Sequence, residues 1–61
     1  MGADMRIVNE ADLSGLKLVT IYGAHSETKP TKGIADGSVF IETDTQDIFM
    51  YDEKNAQWRE M

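Results

Sequence analysis

Two short runs of bulky residues, Val-Phe-Ile at 39–41 and Ile-Phe-Met-Tyr at 48–51, flank a polar knot, and each is apolar at consecutive positions. Successive side chains of a strand point to opposite faces, so a hairpin with one wet face alternates apolar with polar residues. These runs do not alternate. The ribbon they build is apolar on both faces, and both need cover.

Size limits where that cover can come from. The chain has 61 residues, which is one small domain at most. A chain of this size buries only about 60% of its extended surface, and the hydrophobic gain nearly cancels against the entropy of ordering the chain. Disulfides, a structural metal or subunit association usually make up the difference. With no cysteine and a single histidine, His25, the chain has neither a disulfide nor the clustered ligands of a zinc site. Association remains, so the sequence predicts a homo-oligomer with no cofactor and no bound metal.

Eleven acidic side chains against six basic give a formal charge of -5. A nucleic-acid groove needs a basic stripe, which these scattered lysines and arginines do not supply. No run approaches the ~20 apolar residues of a membrane span, and residues 1–9 lack the basic-then-apolar order of a signal peptide. The expected partners therefore include neither nucleic acid nor membrane, and the expected place of synthesis is the cytoplasm.

Residues 1–4 are small and polar and are expected to form a disordered N-terminus, with 5–61 a single small β domain. Asn9 to Asp12 has the order of a helix N-cap, with Gly15 placed to stop the helix, so one short helical turn is expected there. Residues 16–22, LKLVTIY, alternate in character and are rich in β-branched side chains, which predicts a strand. Residues 23–37 hold three glycines and the only proline, and read as a long loop or arm. A three-residue turn at Asp44-Thr45-Gln46, with Gln46 left-handed, pairs Phe40 with Met50 and Val39 with Tyr51. One face then carries Phe40, Ile48 and Met50, and the other Val39, Ile41, Phe49 and Tyr51. A second turn at 52–55, with Asn55 left-handed, sets Trp58 beside Met50. The predicted fold class is all-β: a small antiparallel meander of three strands in residues 38–60, plus the N-terminal strand at 16–22.

The stretch from Ser26 to Trp58 resembles a short module of small proteins encoded among the head and tail genes of tailed phages and of Gram-positive prophages. Its pattern is met by Thr28, Lys29, Pro30 and Thr31, then Gly37, Ser38, Phe40, Glu42, Thr43, Asp44 and Thr45, then Tyr51, Asp52 and Trp58. Where that pattern commonly has glycine, this chain has Gln46. The resemblance implies a structural or virion-associated protein and names no ligand.

Other chemistries find little support in the residues. Glu42, Asp44, Asp47, Asp52 and Glu53 crowd the two turns but lack the order of a calcium loop, and are expected to be solvated, with Asp44 capping its own turn. His25 has no oriented partner in the sequence, the serines and threonines lack a nucleophile motif, and residues 33–37 lack the lysine of a phosphate loop. No catalytic residue is expected, and the protein is read as a non-enzyme. Phe40, Ile41, Ile48, Phe49, Met50, Tyr51 and Trp58 are the candidate core or subunit interface, because so small a chain needs its large side chains to fold. Lys29, Pro30 and Lys32 form a candidate partner-binding arm. The function expected is that of a bacteriophage or prophage virion structural or decoration protein that self-associates and binds a capsid or tail protein. The alternative is a small prophage adaptor or regulatory module that binds a host protein through the arm.

Overall fold

The structure, a computed structural model, describes residues 5–61; the expected disordered N-terminus lies outside the described residues. Five strands form one sheet: β1 (Arg6–Leu13), β2 (Leu16–Gly23), β3 (Val39–Glu42), β4 (Ile48–Asp52) and β5 (Gln57–Glu60). They lie side by side in chain order, and only β2 and β3 run parallel. The all-β expectation holds, as does the meander β3-β4-β5.

The helical turn expected at Asn9 to Asp12 is instead part of β1. Leu13 and Leu16 pair across a two-residue loop in which Ser14 (φ 50°) and Gly15 (φ 92°) are both left-handed, the geometry of a tight hairpin. Gly15 thus turns a hairpin where it was expected to stop a helix. The acidic residues of β1 face a cation on the neighbouring strand, with Glu10 and Asp12 both bridged to Lys17.

The parallel pairing explains the long loop. Adjacent parallel strands cannot be joined by a tight turn and need a crossover of a dozen or more residues. Residues 24–38 are that crossover, a strap laid over one face of the sheet. Trp58 Nε1 donates to the Pro30 carbonyl at 2.8 Å and the Tyr51 hydroxyl to the Thr31 carbonyl at 2.9 Å. Further along, Lys17 N–H donates to Gly33 O and Ala35 N–H to Lys17 O, which sets Ile34 into the core. The strap leaves no room at its start: a Cβ on Gly23 would lie 2.7 Å from Phe40 Cζ.

Both turns of the meander are one residue longer than expected. Gln46 is left-handed (φ 66°), as the sequence predicts, but its N–H donates to Glu42 O while Glu42 N–H donates to Asp47 O. Thr43 is drawn out of the hairpin because its N–H donates to Gly23 O, extending the β2-β3 ladder. Val39 therefore pairs with Met50, Phe40 with Phe49 and Ile41 with Ile48. A one-residue slip moves every side chain of a strand to the other face. Phe49 and Tyr51 accordingly join Phe40 under the strap, while Ile48 and Met50 join Val39 and Ile41 on the open face. The second turn slips too, with Ala56 (φ 49°) left-handed in place of Asn55, whose side chain donates to Asp52. Trp58 now lies opposite Tyr51. The two slips cancel for this residue, so it shares the Phe40 side as expected.

The core lies between strap and sheet: Val19, Ile21, Ile34, Phe40 and Tyr51, with Phe49 and Trp58 packed against them. The Trp58 ring sits 5.9 Å from Phe40 and 4.9 Å from Tyr51, centroid to centroid. Where strap and β3 part from the edge of β2, Val19 N–H would lack a ladder partner; it donates to Ser38 Oγ at 3.0 Å instead.

Two substitutions test this backbone. Gln46→Gly relieves a left-handed non-glycine residue and should raise stability by about 1 kcal/mol, seen as a higher Tm. Ser38→Ala should lower it by about 1–3 kcal/mol in urea denaturation, because a buried N–H loses its acceptor; an unchanged midpoint would show that the gap is not sealed by this hydroxyl.

Candidate functional site: a buried carboxylate under the strap and an open apolar face

Glu42 ends β3 with its side chain turned beneath the strap, and it is 0% exposed. Expected to be a solvated turn carboxylate, it is among the most enclosed groups of the protein. Its position two residues after Phe40 on a strand puts it on the same face, so burial of one buries the other. Lys29 Nζ lies 2.7 Å from Oε2, Thr45 Oγ1 donates to Oε1 at 2.8 Å, and His25 Nδ1 lies 3.0 Å from Oε1. Burial alone pushes this carboxyl up, but the hydrogen bonds from Lys29, Thr45 and His25 outweigh it and hold it at about 2. An ionised carboxylate only accepts, so His25 carries its proton on Nδ1. That bond and the nearby negative charge raise the His25 pKa, although the side chain is 67% exposed.

Asp44, expected to cap its own turn, accepts from His25 N–H at 3.0 Å, and Thr45 takes the local role by accepting from Asp47 N–H. Glu27 bonds the strap to itself and to the first described residue, accepting from Ala24 N–H at 2.6 Å and from Met5 N–H at 3.0 Å.

The candidate interface residues divide between two environments. Phe40 and Tyr51 are buried, and Phe49 and Trp58 are half-buried against them. Ile41 is half-buried on the open face, where Ile48 is 41% and Met50 40% exposed. Cross-strand pairing aligns Tyr22, Ile41 and Ile48 in one row and Thr20, Val39 and Met50 in the next. Arg59 continues the second row and bridges to Asp52 at 2.9 Å. Beside Met50 and Arg59 the surface dips into an open depression of about 360 Å³ reaching Gly37 and Met61.

The arm residues part company. Lys29 points inward, with its side chain 16% exposed, and Pro30 gives its carbonyl to Trp58, whereas Lys32 is exposed. Sequence reasoning takes Glu42 for a solvated carboxylate and His25 for a histidine without a partner, and gives Thr45 and Ser38 no role, whereas the structure joins Glu42, His25 and Thr45. The readable signal was Glu42 at the second position after Phe40, with Lys29-Pro30 available to reach back. The strap and the hairpin are tied by side-chain bonds among residues 29–58: Lys29 and Thr45 to Glu42, Trp58 to Pro30, and Tyr51 to Thr31.

Comparison with known protein families, with curated proteins and with solved structures finds no match to this chain. Among the described residues no helix is long and apolar enough to cross a membrane.

The charge cluster contributes to the response to pH on both sides of neutrality. Glu42 is lowered from 4.5 to about 2 on folding, so its contribution is present above 4.5 and is lost as pH falls through about 2. His25 is raised above 6.5, so its contribution is present below that value and fades as pH rises through its folded pKa. Urea midpoints should therefore fall on both the acid and the alkaline side, and Glu42→Gln should flatten both limbs. A variant that keeps the wild-type profile would remove Glu42 as their source.

Proposed function

We propose that this protein is a non-enzymatic structural or decoration component of a phage or prophage virion, which self-associates and binds a capsid or tail protein. The observation that carries the reading is the open face of the sheet. The strap covers one side, and the opposite side presents Tyr22, Val39, Ile41, Ile48 and Met50 in adjoining rows. Burying such a face against another chain supplies the hydrophobic area that a chain of this length lacks alone. The resemblance of residues 26–58 to the head-and-tail-gene module supports the virion setting. The adaptor reading depended on a free arm at 29–37, and two of its three residues are engaged with Glu42 and Trp58; nothing favours it over the first.

Sedimentation equilibrium at micromolar concentration should give a mass that is a multiple of 6.8 kDa. The pair Ile48→Lys and Met50→Lys should return it to the monomer and lower its Tm, since the monomer loses the area buried between chains. A wild-type protein that stays monomeric across the whole range would defeat the self-association part. Its absence from purified particles would defeat the virion part.

A further inference from the structure

The Lys29 ammonium lies 4.6 Å from the centroid of the Phe40 ring and 4.5 Å from that of Phe49. On its remaining side Glu42 Oε2 is 2.7 Å away. Aromatic faces with a carboxylate are how proteins recognise ammonium ligands, since the ring quadrupole attracts the cation more strongly as water is excluded. Each wall of this site has a partner besides the lysine. Phe40 is fully buried, Phe49 is paired with it across the strand, and Glu42 is also held by Thr45 and His25. The occupant arrives on a segment outside the named strands.

We propose that Phe40, Phe49 and Glu42 form a recognition site for a primary alkylammonium, the end of a lysine side chain, and that Lys29 fills it in cis as a tethered ligand. A purely structural plug needs no charge here: an apolar pair of similar volume often packs as well as a buried ion pair, with no desolvation penalty. The charged groups around the site include His25, Glu27 and Lys29 from the strap and Glu42 and Asp44 from the hairpin. Removal of Lys29 leaves the enclosed Glu42 carboxylate without its nearest cation. The strap, pinned by the Pro30 and Thr31 carbonyls, holds Lys29 in the site, so free amines compete poorly with it. A lysine presented at close range by a bound partner competes on equal terms, and its entry would lift the strap from Trp58 and Tyr51. This inference stands apart from the virion reading and holds for any partner.

The test is Lys29→Ala titrated with n-butylammonium, whose four carbons match the lysine side chain. Trp58 fluorescence and the amide shifts of Phe40 and Phe49 report on the site, because Trp58 touches both Phe40 and the strap. The variant should bind saturably in the millimolar range and gain Tm. Wild type should show no response at the same concentrations, and neutral n-butanol should have no effect on either. A folded variant that ignores butylammonium, or that responds equally to butanol, overturns the proposal. If the variant does not fold alone, butylammonium must restore the fold, and failure to do so overturns it as well. In wild type the Lys29 ε-methylene protons should be shifted upfield by the two rings; ordinary shifts would contradict the geometry on which the site rests.

Discussion

A carboxylate shut away from water must receive its hydrogen bonds from the protein, and the way Glu42 obtains them organises the rest of the molecule. Two of its donors, His25 and Lys29, come from the strap, 17 and 13 residues before it, and the third, Thr45, from the β3-β4 turn just after it. The strap is irregular over most of its length, tied to the sheet by one bridge at Ile34 and by the Pro30 and Thr31 carbonyls. A single enclosed charge with directional demands can fix it, because sliding the strap by one residue would strand the anion at a cost of several kcal/mol. The apolar layer beneath supplies most of the driving force, and the charge selects one placement from many.

The sheet topology makes such a device necessary. Parallel pairing of β2 with β3 obliges the chain to leave the sheet and return on the same side. The returning segment doubles as the roof of the core, which is economical in a chain of 61 residues. It also answers the question raised by the unalternating runs: cover for one face comes from within the chain.

How much of this was legible in the sequence follows from which signals are local. The all-β class, β2 and the meander were readable from β-branched content and turn residues, and Gln46 was placed in the left-handed region from its turn. The register was not, because the β3-β4 turn length is decided by Thr43 bonding to Gly23 on a strand far away in sequence. That slip places Ile48, Phe49, Met50 and Tyr51 on faces opposite to those expected. β1 was missed for a different reason: Asn9, Glu10 and Asp12 have weak strand preference, and only pairing with β2 and the bridges to Lys17 make them a strand. Glu42 was misread because a carboxylate beside a turn is usually wet, and its partners are invisible until the strap is folded over it.

The outer strand β1 carries a bulge between Ile7 and Asn9. An exposed edge of this length would otherwise be a template on which further chains could stack without limit, and a bulge interrupts the spacing of the outward-pointing amides that such stacking requires. The opposite margin is short and studded with Arg59 and Glu60, which discourages zippering there too. With both rims blunted, growth by strand addition into a fibre is disfavoured.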